Sequence, residues 1–388
     1  MTASRLGRLP CGQHVGLSRA DSAVMETKQK VRYAVAGLGN IAQVAVLPAF
    51  KHAQKNSELT AIISGDVEKR RALRDKYDLK LDGAYDELES VLKEGAIDAL
   101  YVATPNALHK ALTLRAAAAG VHVLCEKPLA MSVADCEEMA EACDDAGVKL
   151  MVGYRLHFDE ATLSAIELVK AGKLGDVRCF DSVFTHVVRP GDIRESAELG
   201  GGAVYDLGVY CINAARNLFR DEPLLVFALS QKRNGVDDTT TAVLQFAHNR
   251  VAQFTVSNSL ASVSSYRISG TEGDLRVEPA YDYAEPLEHH LTVDDDQSHE
   301  SFSKRDQFSP ELEYFSSCIL EDRMPEPSVD EAIADLRVVE AILQSAESGK
   351  PIPLEPRQRA RRPGIEQQAK KPPVGKQRTI HAPSPSLK

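Results

Sequence analysis

Val31-Arg32-Tyr33-Ala34-Val35-Ala36-Gly37-Leu38-Gly39-Asn40-Ile41-Ala42 decides the fold. Its first half is a short apolar run of the kind a fully buried strand carries, and the glycine turn then opens a helix. The pattern repeats downstream. A second strand (59–63) ends at Ser64-Gly65-Asp66, and a charged helix follows over 67–77. Strand 99–103 closes on Thr104-Pro105-Asn106. Helix 108–119 stops at Gly120, and strand 121–125 runs into Glu126-Lys127-Pro128. Helix 133–146 and strand 149–152 complete the series. Strands alternating with helices of this length build a parallel, doubly wound sheet. After Gly153 the texture changes. A helix (161–171), a run over 177–186 and a helix (203–218) are followed by closely spaced β-rich runs at 224–231, 239–246, 251–257, 265–269 and 275–277. This predicts an α+β domain with a large, mainly antiparallel open sheet, closed by helices near 310–320 and 329–348. Asp294-Asp295-Asp296 reads as a solvated turn.

The chain has 388 residues, more than one ordinary core holds, which agrees with two domains. The expected divisions are an N-terminal extension (1–30), a nucleotide-binding domain (31–153), an α+β domain (154–354) and a tail (355–388). The net charge of -10 is uneven. From Arg357 onward nine Lys/Arg face one Glu, a net of +8, leaving -18 on the rest. An acidic body argues against nucleic acid as the main partner. The tail, rich in Pro, Lys, Arg and Gln, is expected to stay disordered for want of apolar surface. No apolar run reaches membrane-spanning length. Seven cysteines without a C-x-x-C pair make neither a disulfide framework nor a zinc site. A reducing cytoplasm fits best, and the expectation is a cytoplasmic protein without a metal. Residues 1–30 lack a secretory h-region and read as a disordered extension, with a mitochondrial-type presequence as the alternative.

Gly37-x-Gly39-x-x-Ala42 between strand and helix is a dinucleotide fingerprint. The glycines permit the tight turn and let backbone amides approach a pyrophosphate, and Ala42 allows close helix packing. At the end of the second strand, an NAD-selective site places an acid for the ribose hydroxyls. Here Ser64-Gly65 stands there, with Lys69, Arg70 and Arg71 behind it. A small hydroxyl residue leaves room for a 2′-phosphate that nearby cations neutralise. That favours NADP(H). Asp66, one residue on, is the feature that speaks for NAD(H).

Lys127 sits just past a parallel strand, at the carboxyl edge where such sheets bind ligands. A lysine there can stabilise a developing alkoxide. Hydride transfer also needs a group for the hydroxyl proton. Asp206 and Tyr210, in Gly200-Gly201-Gly202-Ala203-Val204-Tyr205-Asp206-Leu207-Gly208-Val209-Tyr210, are four apart and share one helix face. By itself Glu-Lys-Pro is too short to be specific, and Tyr210 alone reads as a packing residue.

Taken together, the glycine fingerprint, Thr104-Pro105-Asn106 with His109, Glu126-Lys127-Pro128, Gly153-Tyr154-Arg155, and the triple glycine with Asp206-x-x-x-Tyr210 resemble the Gfo/Idh/MocA oxidoreductase family over residues 31–354. Within it the chain resembles the glucose–fructose oxidoreductase-like branch, which carries Tyr at position 210 and the Ser-Gly tip with a following Lys. The resemblance implies a Rossmann domain and hydride exchange between NADP(H) and a sugar or polyol. It implies Lys127 and Tyr210 as catalytic pair, with Asp206 orienting the proton-transfer group or the substrate. Gly37, Gly39, Asn40, Ile41, Ala42, Ser64, Gly65, Lys69, Thr104, Pro105, Asn106, His109, Glu126, Lys127 and Arg155 would hold cofactor. Tyr154, Arg155, Arg194, Asp206 and Tyr210 would face substrate. It also implies a homodimer or homotetramer paired through the second domain's sheet. The chain departs from the branch in having no Trp, with Ile193 before Arg194, so a conventional dehydrogenase that exchanges its cofactor is expected over a permanently loaded one. Two alternatives stand beside it: an NAD-dependent inositol or dihydrodiol dehydrogenase, and a non-catalytic dinucleotide-binding redox sensor.

Overall fold

The apolar run 31–36 becomes the centre of a sheet because its side chains are buried on both faces, the pattern of an interior parallel strand. The computed structural model describes residues 30–359 and 361–387. In it β1 (Val31–Ala36), β2 (Ser57–Ile63), β3 (Leu81–Gly83), β4 (Ala99–Val102), β5 (His122–Glu126) and β6 (Leu150–Gly153) form one parallel sheet in the order β3-β2-β1-β4-β5-β6. The helices α1 (Leu47–Ala49), α2 (Val67–Tyr77), α3 (Leu88–Glu94), α4 (His109–Ala118) and α5 (Val133–Asp145) cross over between strands. Chain direction reverses its progress between β1 and β4, and this switch point is where an open α/β sheet leaves a crevice.

The second sheet contains β7 (Cys179–Val188), β8 (Leu225–Arg233), β9 (Val236–Phe246), β10 (Arg250–Ser257), β11 (Ser259–Ser269), β12 (Gly273–Val277), β13 (Leu287–Val293), β14 (Asp296–Phe302) and the short β15 (Ile352–Pro353). Its order is β14-β13-β12-β11-β7-β10-β9-β8-β15, antiparallel throughout except for β7 beside β10. The helices α6 (Glu160–Lys170), α7 (Val209–Phe219) and α9 (Val329–Ser348) share one core with its inner face, where Ala242, Leu244 and Phe254 pack. The outer face keeps Val183, Phe227, Leu229, Val243, Val251 and Val263 exposed.

Three features depart from the sequence reading. The stretch 287–302 forms a hairpin whose tip holds Asp294 and Asp295 at positive φ, so the acidic run is a turn, but one joining two strands. The helix α8 (Ser309–Leu320) packs on the first domain: Phe308, Leu312 and Phe315 share a core with Val35 and Ile62, and Ser316 Oγ lies 2.8 Å from Tyr33 Oη. The boundary is therefore not a single cut near residue 153. The tail, expected to be disordered, is laid on the body. Arg359 pairs with Glu326 and Glu331, Arg362 with Glu222, Lys370 with Glu160 and Lys371 with Glu313. Its partners are the carboxylates of the acidic body, so ion pairing takes the place of the apolar burial that its composition lacks. Of the N-terminal extension, residues 1–29 lie outside the described residues.

Candidate active site

The crevice at the switch point is a cavity of about 910 Å³ closed on its far side by the second sheet. Gly37 has φ 91° and its backbone lies against the end of β4; a Cβ there would sit 2.3 Å from the Ala103 carbonyl oxygen. Only glycine fits both constraints. Gly39 faces the other way, and a Cβ on it would meet no atom within 4 Å. The turn thus opens onto empty cavity, and the buried Thr104 Oγ1 on the opposite lip has no hydrogen-bond partner. A cradle of backbone with an unpaired hydroxyl above it fits the pyrophosphate of a dinucleotide.

Ser64, Lys69, Asn40, Ile41, Pro105 and Asn106 border the same cavity. Asp66 caps α2 by accepting from Lys69 N at 2.9 Å, and its other oxygen lies 3.0 Å from His381 Nδ1. The carboxylate that spoke for NAD(H) is thereby engaged by the protein itself. Asn106 Nδ2 donates to the Gly200 carbonyl at 2.8 Å, which joins the two walls.

Lys127 stands at the carboxyl end of β5. Its Nζ donates to the Asp206 carbonyl oxygen at 2.9 Å, lies 3.7 Å from the Asp206 carboxylate, and is 4.4 Å from the centre of the Tyr210 ring. Asp206 occupies a wide helical turn, Val204–Gly208, that runs straight into α7, so Asp206 and Tyr210 face the cavity from consecutive turns. Turns of this wide type recur at functional sites. Arg194 Nε donates to the Asp206 carboxylate at 2.5 Å and Arg194 Nη1 to Asp192 at 3.1 Å. Burial alone would raise the Asp206 carboxyl, but Arg194, Lys127 and His186 outweigh it and hold the group below the usual carboxylate range. The opposite holds for Glu126. Burial pushes its carboxyl up despite the hydrogen bond from Tyr101 Oη at 2.8 Å.

Arg155 is inserted between the two domains, its guanidinium carbon 5.1 Å from the Tyr210 ring centre and 5.4 Å from that of Tyr283. It donates to the Tyr281 carbonyl and to Gln307. All the sequence-predicted site residues border the cavity except four. Ala42 is buried in the helix that follows its turn, and Gly65 is exposed beside Ser64. His109 is fully buried, with its ring nitrogens 2.9 Å from the Pro128 carbonyl and 3.0 Å from that of Thr104. It braces the two loops that carry Thr104 and Lys127, which is a positioning role. Tyr154 is a correction. Its hydroxyl points away from the cavity and donates to Asp335 at 2.6 Å, and its ring stacks on His157.

Sequence reasoning missed Tyr281 and Tyr283 as cavity wall, and assigned no role to His186. The His186 Nε2 is buried without a hydrogen-bond partner, 3.9 Å from the Asp206 carboxylate. Burial lowers its pKa, with Arg194 adding to the effect and Asp206 opposing it. The only signal for it was its place at the end of a predicted strand. The tail residues 381–386 also line the cavity.

Residues 31–154 match the oxidoreductase family with NAD-binding Rossmann fold, and residues 162–276 match the GFO/IDH/MocA C-terminal domain. The chain is 32% identical over 329 residues to D-xylose 1-dehydrogenase (NADP(+)) 2 of Haloferax volcanii, covering 83% of this chain and 99% of that protein. The crystal structure of aldose-aldose oxidoreductase from Caulobacter crescentus complexed with glycerol superposes with a TM-score of 0.80 at 35% identity, over 84% of this chain and 100% of the other. A 3-ketoreductase from Actinomadura kijaniata, solved with NADP and TDP-benzene, gives 0.76 at 26% identity, over 82% and 98%. The likeness spans nearly the whole length of these proteins and both family matches fall on this chain, so the chain belongs to the Gfo/Idh/MocA family of NAD(P)-dependent oxidoreductases.

Proposed function

We propose that the protein transfers hydride between NADP(H) and a carbinol carbon of a pyranose, aldose or related polyol. The observation that carries this reading is the approach of Lys127 Nζ to the Tyr210 ring, 4.4 Å from its centre, in the cavity that also exposes the glycine turn. Bound there, the nicotinamide supplies or accepts the hydride. Lys127 polarises the substrate oxygen and stabilises its developing negative charge. Tyr210 takes or returns the hydroxyl proton. Asp206 stays ionised between Arg194 and Lys127 and fixes the ammonium, while Arg155 and Arg194 face the substrate.

The preference for NADP(H) is supported by Ser64 and Lys69 at the cavity edge and by the engagement of Asp66 as a helix cap. The names of the xylose dehydrogenase and ketoreductase relatives, which carry NADP, support it too. The test is a pair of binding titrations with NADP and NAD on the natural chain and on Ser64→Asp. Tighter NADP binding in the natural chain, reversed in the variant, is expected. Tighter NAD binding in the natural chain would transfer the assignment to an NAD-linked inositol or dihydrodiol enzyme.

The outer face of the second sheet supports pairing with another copy. Leu229 there is 63% exposed and Val251 40%, an apolar surface that a partner's sheet would cover. Among the described residues no helix is long and apolar enough to cross a membrane.

A further inference from the structure

The tail divides into an anchor and a span. In the anchor, Arg359 and Arg362 enter a buried ionic cluster. Arg216 alone, with no solvent exposure, faces Glu222, Glu331 and Asp335. Arg359 also reaches Glu326, and Arg362 Nη1 donates to the Arg216 carbonyl at 3.0 Å. These two tail arginines supply positive charge that buried carboxylates require, so the tail up to Lys371 is part of the body.

Beyond Lys371 the chain arrives at the nucleotide-binding domain. Ile380 makes two hydrogen bonds to one side chain: its N–H donates to Gln43 Oε1 at 2.7 Å and its carbonyl accepts from Gln43 Nε2 at 2.8 Å. The Ala382 carbonyl accepts from Asn40 Nδ2, inside the glycine turn, at 3.2 Å. The next attachments are on the other domain. The Pro385 carbonyl accepts from Arg189 N at 2.8 Å, and β16 (Ser386–Leu387) pairs antiparallel with Val187 and Val188. This pairing starts where β10 stops, since the last β10 partner on β7 is Thr185. Residues 381–386 therefore run from the glycine turn to the second sheet along the cavity wall. Pro383 and Pro385 fall within this span. Proline fixes the chain in an extended form and presents no N–H that would need a partner.

We propose that residues 380–387 are a strap across the dinucleotide cleft, and that bound cofactor leaves only after the strap is displaced. The proposal rests on the dinucleotide lying along Gly37–Ile41, as in the function above. The strap does not stand in for the cofactor. A Cβ on Gly39 would meet no atom within 4 Å, so the space directly off Gly39 is clear of tail atoms. The strap is bound to the glycine turn and its helix at one end and to the second sheet at the other, and lines the cavity between them.

Stopped-flow displacement of bound NADPH, followed by its fluorescence, tests this. The natural chain is compared with a chain ending at Arg378, which keeps Arg359, Arg362 and the ion pairs of the anchor. A full-length Ile380→Pro variant, which removes the N–H that Gln43 accepts, guards against a defect caused by shortening. Both variants are expected to release NADPH faster, the shortened chain by roughly tenfold or more, equivalent to about 1.4 kcal/mol. Release at the natural rate from a shortened chain that still binds NADPH would overturn the strap alone. So would faster association with unchanged release, the signature of a tail that competes with cofactor. A natural chain that binds neither NADPH nor NADH would fail the dinucleotide reading, and the strap with it.

Discussion

One helical stretch carries two ionic clusters of opposite design. At its start, Asp206 is a carboxylate facing the cations Arg194 and Lys127, with His186 beside them. Further along, Arg216 is a cation among carboxylates. The first borders a cavity and leaves Lys127 with donor capacity facing it. The second is buried and is completed by arginines from the tail. A cluster whose charges are matched within the fold holds elements together, whereas one with donors left over at a cavity is equipped for a ligand's oxygen.

The contrast predicts that damage to the two clusters separates. The largest effect is expected from Lys127→Met, which should lower turnover by roughly two to three orders of magnitude, as loss of a charge-stabilising donor does elsewhere. NADPH binding and melting temperature should change little. Near-natural turnover would sink the assignment of Lys127. Arg216→Met is expected to invert the pattern. It leaves the buried Asp335 without a cation, and Glu222 and Glu331 with the tail arginines alone, and should cost about 3–5 kcal/mol in denaturant unfolding. An unfolding midpoint equal to the natural one would show that the cluster does not hold the fold.

A smaller, pH-dependent effect is expected at Asp237. This carboxyl accepts from Val204 N at 2.7 Å, at the entry to the turn that carries Asp206. Burial pushes it up to about 6. The folded chain therefore keeps a proton that the unfolded chain releases at the ordinary carboxylate range. That stabilisation is complete at lower pH and is lost as pH rises through about 6. Asp237→Asn should remove up to about 3 kcal/mol of this slope between the two pKa values. Parallel stability profiles of the two proteins over that window would contradict it. The smallest effect sought is that of Ser64→Asp, which should shift relative NAD and NADP affinity by about one order of magnitude, the scale of a single charge-assisted hydrogen bond.

Local sequence carried much of the site because parallel strands bring their carboxyl ends to one edge. With strands that end at Ala36, Ile63, Ala103 and Cys125, Gly37, Ser64, Thr104 and Lys127 have to meet. What was not legible depends on pairing across long distances. Tyr154 and Arg155 are neighbours, but only tertiary packing decides that the arginine enters the cleft while the tyrosine turns to Asp335. His186 lies in no motif. The strand Asp296–Phe302 is polar along nearly its whole length because both its faces are exposed, so it shows no alternation to read. Composition argued for a loose tail because it scores what a segment can bury by itself. It does not register that this segment's arginines complement carboxylates more than a hundred residues away, such as Glu222 for Arg362.

The central claim is hydride exchange between NADP(H) and a sugar at Lys127 and Tyr210. The most direct measurement is nicotinamide absorbance on mixing the protein with a panel of pyranoses, aldoses and polyols, each with NADP⁺ and with NAD⁺. At least one of these sugars or polyols is expected to generate NADPH, and to do so faster than it generates NADH. Absence of reduction with every compound and both dinucleotides, by a chain that binds the dinucleotide, would contradict it.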